Sequence, residues 1–254
     1  MQKKIVSVYG YGRFGKLWAD ILAADHHVKV FSRRGLKPEE VPAGIEIANE
    51  ENIFDCDAMF FCVAISAMEE VLKSTRAFHR SHTVFFDTCS VKVFPARWME
   101  AHLPPESQII ATHPMFGPDS YNTSRLMPMV MCNIRTRGAT FEEWVNYFSN
   151  KSMQVEIMTP DEHDKTVAYS QGITHYIGRV LKEINLVPTN INTLGYQKLL
   201  EIIEQTCNDS WQLFIDLQKY NPYTGQMRED LNRALNKIYS VFSNEKSNNK
   251  NSTH

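Results

Sequence analysis

Apolar residues fall in short blocks along the first 158 positions, each too brief for a long helix. "KKIVSVYGYGRFGKLWADILA" (3–23) passes from an apolar block through a glycine-rich turn into a 3.6-residue period, predicting strand, turn and helix. "VKVFS" (28–32), "DAMFFCVAI" (57–65), "TVFFDTCSV" (83–91) and "QIIAT" (108–112) predict further strands. Helical stretches such as "SAMEEVLKSTRAF" separate most of them. Near-continuous apolar strands alternating with amphipathic helices imply an α/β domain with a parallel sheet covered on both faces. "MPMVMCNI" and "MQVEIM" predict late strands, with the helix "FEEWVNYFSNK" between them.

The pattern changes at "TPDEHDK" (159–165). Thr159 suits a helix N-cap, Pro160 the first helical position, and Glu162 the reciprocal place in a capping box. From there to about 242 the chain reads as helical. The expected organisation is an α/β domain over 1–158, a second, all-helical domain over 159–242, and a disordered polar tail over 243–254. The block "IIATHPMFGPDS" (109–120) stands apart: two prolines and a glycine in five residues end an apolar strand directly after His113.

Composition narrows the class. Hydrophobic residues are 43% of 254, enough for a real core. A net charge of −2 gives no electrostatic case for nucleic acid or a membrane surface. No apolar run reaches the roughly 20 residues of a membrane span. Met1 leads almost directly into a strand, leaving no room for a leader, so a cytoplasmic location is expected. The five cysteines are scattered without metal-ligand spacing, so neither disulfides nor a metal is expected.

Gly10, Gly12 and Gly15 form G-x-G-x-x-G directly after a strand and at the opening of a helix. In that setting the first glycine permits a tight turn, the second admits a pyrophosphate, and the third lets helix and strand pack closely. The fold expected is therefore a doubly wound, Rossmann-type sheet. The cofactor-binding segment is Gly10, Tyr11, Gly12, Arg13, Phe14 and Gly15, joined by Val63, Ala64 and Ile65 after a later strand. The second strand ends in Ser32, Arg33 and Arg34, with no carboxylate to hold a ribose 2′-hydroxyl. A hydroxyl and two guanidiniums suit a 2′-phosphate, so NADP is expected, with NAD possible.

Ligands of open α/β sheets sit outside the carboxyl ends of the strands. "DTCSVK" brings Ser90 and Lys92 there, and "THPMFGP" brings His113. A hydroxyl and an imidazole at neighbouring strand ends could meet a substrate hydroxyl beside a nicotinamide, where a base must take its proton. In the next helix, a uniform 100° per residue puts Asp164, Ala168, Gln171, His175 and Arg179 on one narrow stripe. Tyr169, Ile173, Tyr176, Ile177, Val180 and Ile184 lie broadly opposite. The stripe lacks the Lys/Glu mixture of an ordinary wet face, so it is expected to face substrate, with Arg179 available to a carboxylate.

"GYGRFG", "SRR", "DTCSVK", "THPMFGP", "EHDK", "SQGITHYIGRVL" and "NTLGYQKLLEIIEQTCNDSWQLFIDLQKYNPY" occur in the order found in prephenate and arogenate dehydrogenases, over residues 4–240. The chain most resembles the plant-type arogenate dehydrogenase branch. That resemblance implies oxidation of the ring hydroxyl of arogenate or prephenate by hydride transfer to NAD(P), with loss of carbon dioxide and aromatisation, a step of tyrosine biosynthesis. It implies that His113 draws off the hydroxyl proton, that Ser90 binds that hydroxyl, that His175 lines the substrate pocket, and that the helical domain pairs two chains into a homodimer. It departs from many bacterial members, which carry a ring-carboxylate arginine near the position of Glu204; Arg179 is the expected substitute. Asp164 and Asp161 are candidates to meet the ammonium that distinguishes arogenate. The alternatives are a β-hydroxyacid dehydrogenase or imine reductase of the same architecture, and a redox-sensing NADP-binding protein without turnover.

Overall fold

The computed structural model describes residues 2–121 and 127–248, with side chains as far as 243. By contacts the chain divides into two units, Met1–Asp164 and Lys165–His254. The division falls inside a helix rather than ahead of it, because His163 and Asp164 hydrogen-bond back into the first unit.

The first unit contains β1 (Ile5–Tyr9), α1 (Arg13–Ala23), β2 (His27–Phe31), β3 (Ile45–Ile47), β4 (Ala58–Phe61), α2 (Ile65–Ser74), β5 (Val84–Asp87), α3 (Val93–His102), β6 (Gln108–Pro114), β7 (Met127–Arg135), α4 (Thr140–Ser149) and β8 (Met153–Ile157). Among the described residues the strands form one sheet, in the order β3-β2-β1-β4-β5-β6-β7-β8. All neighbours are parallel except β6 and β7, which are antiparallel. The continuous apolar runs have a simple cause: both faces are buried. Phe60 and Phe86 stack at 4.3 Å on the face that carries Trp18, Trp144 and Phe148. Met59, Phe61 and Phe85 alternate to the other face, with Met68, Leu72 and Met99.

Two details differ from expectation. β3 has no counterpart in the sequence reading; its three residues are an edge strand too short to carry a period. β6 does not stop at Thr112 but continues through His113 and Pro114, opposite Val130 and Met129 of β7. Thr112 N–H points to the β5 side, bonding Asp87 Oδ1. The missing N–H of Pro114, two residues on, falls past the end of β5, where no strand requires it.

α5 (Pro160–Val167) opens with the expected capping box: Thr159 N donates to Glu162 Oε2 at 2.9 Å and Glu162 N to Thr159 Oγ1 at 3.2 Å. A π-helical turn over Ala168–Gly172 follows, then α6 (Ile173–Glu183), α7 (Leu194–Cys207), α8 (Trp211–Tyr220) and α9 (Thr224–Asn248). The stripe computed for one uninterrupted α-helix is corrected by that π turn, which has more residues per turn and shifts Asp164 out of register with His175. Gly172 allows the close packing there, lying against Thr224 and Leu217, while its carbonyl accepts from Gln218 Nε2 at 2.8 Å. α6 packs on α7 where Gly178 meets Thr206; any Cβ at Gly178 would collide with that hydroxyl. α9 also runs into the stretch expected to be a disordered tail, because no proline or glycine after Gly225 stops it; residues 249–254 lie outside the described ones. Among the described residues no helix is long and apolar enough to cross a membrane.

Candidate active site

The dinucleotide loop follows β1. Gly10 has φ +107°, a left-handed conformation that L side chains rarely adopt, and a Cβ there would collide with the Cys62 carbonyl. A Cβ on Gly15 would overlap the Gly10 carbonyl, whereas beside Gly12 there is open space. α1 starts with Gly12 as its N-cap, with no capping side chain and no acidic residue in its first turn. Its amides are therefore available to an anion. The loop fits the pyrophosphate of a dinucleotide. Val63, after β4, lies beside Gly10, and Ala64 stands at the N-cap position of α2 without a side-chain cap bond.

Several residues expected at the cofactor turn their side chains away from the loop surface, leaving only backbone to offer. The Tyr11 side chain is buried in the core, Phe14 stacks on Trp18 at 5.6 Å, and Ile65 is buried. Arg13 is turned to Asp119, just past the "HPMFGP" turn, by two hydrogen bonds of 2.8 and 2.9 Å. After β2, Ser32 accepts from Gly35 N in a tight turn and Arg33 is exposed. Arg34 pairs with Glu40 at 2.6 Å, and Glu40 also accepts from Lys37 N. The expectation that no carboxylate stands at this strand end is thus corrected: Glu40, eight positions beyond Ser32, folds back to it.

At the ends of β5 and β6 buried polar groups pair with one another and with nearby backbone. Asp87 accepts from Thr112 N, from Cys89 N at 3.0 Å and from the Lys92 ammonium. Lys92 is fully buried and donates also to the Thr112 carbonyl. Its expected role in substrate binding is corrected: it is the counter-charge of Asp87 and joins β5 to β6. Asp164 is corrected in the same way. It is fully buried and accepts from Lys92 N at 2.7 Å and Val93 N at 2.9 Å, so it caps α3 from a distant part of the chain. It also accepts from His163 Nδ1 at 2.7 Å, and His163 Nε2 lies 2.9 Å from His113 Nδ1. His113 is 2% exposed. Burial holds the His163 imidazole far below its ordinary range, at about 3, and raises Asp164 to about 6 against the pull of its two amide donors. Ser90 is half-buried in the bend between β5 and α3.

In the second unit, Gln171 Oε1, His175 Nδ1 and Arg179 Nε are buried polar atoms without hydrogen-bond partners among the described residues. Arg179, expected to hold a carboxylate, is already partly engaged. Its Nη2 donates to the carbonyls of Asp209 at 2.7 Å and Thr206 at 3.4 Å, and its guanidinium lies over Trp211 and Phe214. It serves the orphan carbonyls past the end of α7. His175 is held below its ordinary range by burial, with Asp209 4.0 Å away pulling the other way. Asp161 is exposed.

His163, Asp87 and Thr112 were missed by reading the sequence. Adjacent His and Asp near the start of a helix resemble an exposed first turn, and nothing local distinguishes them.

Residues 32–126 match the family model described as prephenate dehydrogenase, nucleotide-binding domain, and residues 180–253 match TYRAAT1-like, C-terminal domain. The chain is 32% identical over 246 residues to arogenate dehydrogenase 2, chloroplastic, of Arabidopsis thaliana, covering 92% of this chain and 68% of that protein. It is 30% identical over 245 residues to arogenate dehydrogenase 1, chloroplastic, of the same plant, covering 91% of this chain but 38% of that protein. The fold is similar to prephenate dehydrogenase from A. aeolicus, solved with hydroxyphenyl propionate and NAD+: TM-score 0.74 at 15% identity, covering 97% of this chain and 93% of that one. Glycine loop, sheet order and these matches together define an NAD(P)-dependent dehydrogenase. Within that class, the chain belongs to the arogenate/prephenate dehydrogenase family.

Proposed function

We propose that this chain catalyses the NADP-dependent oxidative decarboxylation of arogenate, with prephenate as the neighbouring substrate. The observation that carries the reading is His113: a buried imidazole at the end of β6, held through Nδ1 at 2.9 Å. The bound nicotinamide supplies the hydride acceptor. His113 takes the ring-hydroxyl proton through Nε2 as hydride leaves the same carbon and the carbonyl forms. The bond to the ring carboxylate then breaks, carbon dioxide departs, and its electron pair makes the ring aromatic. His113 returns the proton to the phenolate oxygen, so the protein ends as it began. Ser90 binds the reacting hydroxyl; in the second unit, Gln171 and His175 are the candidates to meet polar groups of a ligand.

The α1 amides hold the pyrophosphate, and Ser32, Arg33 and Arg34 hold the 2′-phosphate. One observation favours a second reading, prephenate dehydrogenation with NAD: Glu40 already occupies Arg34 and could serve a 2′-hydroxyl instead. Asp164 is unavailable to an ammonium, so the preference for arogenate is supported by the plant relatives alone. The helical unit exposes Ile191, Leu194, Trp211, Tyr239 and Phe242, which supports pairing with a second copy of the chain.

Absorbance of the reduced nicotinamide at 340 nm, with each cofactor and each substrate, tests the reading. Turnover with NADP and arogenate is expected, reduced about 10²–10⁴-fold in His113→Gln. No turnover with any of the four pairs, despite NADP binding, would overturn it.

A further inference from the structure

The base and the two side chains behind it form a chain of hydrogen bonds whose direction can be worked out from its far end. Asp164 Oδ1 and Oδ2 accept from two backbone amides, Lys92 N and Val93 N, which can only donate. Above its value of about 6 the carboxylate is ionised and can only accept, so His163 Nδ1 carries the proton that spans 2.7 Å. A neutral His163 then has its lone pair on Nε2. The 2.9 Å contact to His113 closes only if His113 Nδ1 donates. That leaves the lone pair of His113 on Nε2, the tautomer a proton acceptor at the strand end requires.

From this geometry we infer that His163 and Asp164 are positioning residues of the reaction: Asp164 holds His163 in one tautomer, and His163 holds the ring and tautomer of His113. The inference rests on the reading of His113 as the base. It adds that one carboxylate both caps α3, next to Ser90, and orients the base on β6. All three relay side chains are buried, so water does not compete for their hydrogen bonds. The low proton affinity of His163 keeps it a neutral acceptor across the working range. Other charged or titratable groups around the relay are Lys92 and Asp87 at the α3 and β5 side, Cys132 on β7, and Asp161 and Glu162 on α5. Lys92 and Asp87 neutralise each other, so Asp164 is the carboxylate that sets the direction of the chain.

Asp164→Ala should release it. His163 Nδ1 then loses the Oδ1 that accepts its proton, and the tautomers of both imidazoles are no longer fixed. The first measurement is long-range ¹H–¹⁵N NMR of the histidine rings in the whole protein, which reads tautomers without turnover. Protons on Nδ1 of both His113 and His163 are expected in the wild type, and a mixture of Nδ1 and Nε2 protonation at His163 in Asp164→Ala. A wild-type His113 protonated on Nε2 would overturn the inference.

The second measurement is kinetic. His163→Ala should lower kcat about 10- to 100-fold, as loss of a group that orients a reacting imidazole does, with KM and NADP affinity within about 2-fold. The acid limb of its pH–rate profile should move to lower pH, because protonated His113 loses its acceptor. His163→Gln, whose carbonyl can accept from His113 while its NH₂ donates to Asp164, should recover most of the rate. Wild-type kcat and pH profile in His163→Ala sink the relay. If His113→Gln is itself fully active, the reading of the base fails instead, and the tautomer spectra still decide the relay.

Discussion

The polar groups at the strand ends of the first unit and those on the α6 stripe of the second differ in completeness. Behind His113, the described bonds of Asp87, Lys92, Thr112, His163 and Asp164 run to one another and to nearby backbone. Along the stripe, Gln171, His175 and Arg179 each keep a buried atom without a partner among the described residues. A finished network is bound to folding, because removing one member leaves another charged or polar group stranded. An unfinished one costs stability in the free protein and recovers it when a ligand supplies the missing bonds. On the proposed function, the first region holds the reacting group and the second offers its unpartnered atoms to substrate.

The largest test of that contrast is Lys92→Met. It leaves Asp87 buried without its counter-charge and should cost about 3–5 kcal/mol of unfolding free energy in urea. Adding Asp87→Asn should recover part of the loss; a Lys92→Met protein as stable as wild type would break the comparison.

A smaller effect concerns pH. The folded value of His163, about 3, lies below its ordinary 6.5, so its contribution to stability is lost as pH falls below 6.5. The folded value of Asp164, about 6, lies above its ordinary 3.8, so its contribution grows as pH falls through 6. Near pH 6 each state of the wild type takes up one proton on this pair, the unfolded chain on histidine and the folded chain on aspartate, so the two contributions largely cancel. Asp164→Asn removes the folded-state proton site. Between pH 6.5 and 5 its stability should fall faster than that of the wild type, by up to about 1.4 kcal/mol per pH unit. Parallel slopes for the two proteins, measured by urea unfolding, would contradict this.

The smallest effect belongs to the unfinished region. Gln171→Leu removes a stranded buried oxygen, so the unfolding midpoint should hold or rise, while KM for the substrate rises about 2- to 10-fold. Lost stability with unchanged KM would mean that Gln171 serves the fold rather than a ligand.

Local spacing carried a good deal of this protein. The strand–G-x-G-x-x-G–helix unit could be read because each glycine answers a backbone constraint within a few residues: the φ of Gly10 and the carbonyl that Gly15 must clear. The alternation of apolar blocks and helices followed from a sheet buried on both faces. The capping box at Thr159 and Glu162 was legible for the same reason, its two bonds spanning three residues. By itself the sequence determined the α/β class, the dinucleotide loop, and the presence of Ser90 and His113 among the candidate residues.

Only the tertiary structure decided what stands behind and beside them. Lys92 and Asp164 looked like substrate ligands because charged side chains at strand ends and helix starts usually meet solvent. Folding buries both, one on Asp87 and the other on an α3 terminus 72 residues away in sequence. His163 reaches His113 across 50 residues, and Glu40 returns to Arg34 through a loop with no period to reveal it. A hydrogen bond over such a distance leaves no trace in local spacing. It exists because the sheet order sets β5 beside β6 and the start of α5 returns to their ends.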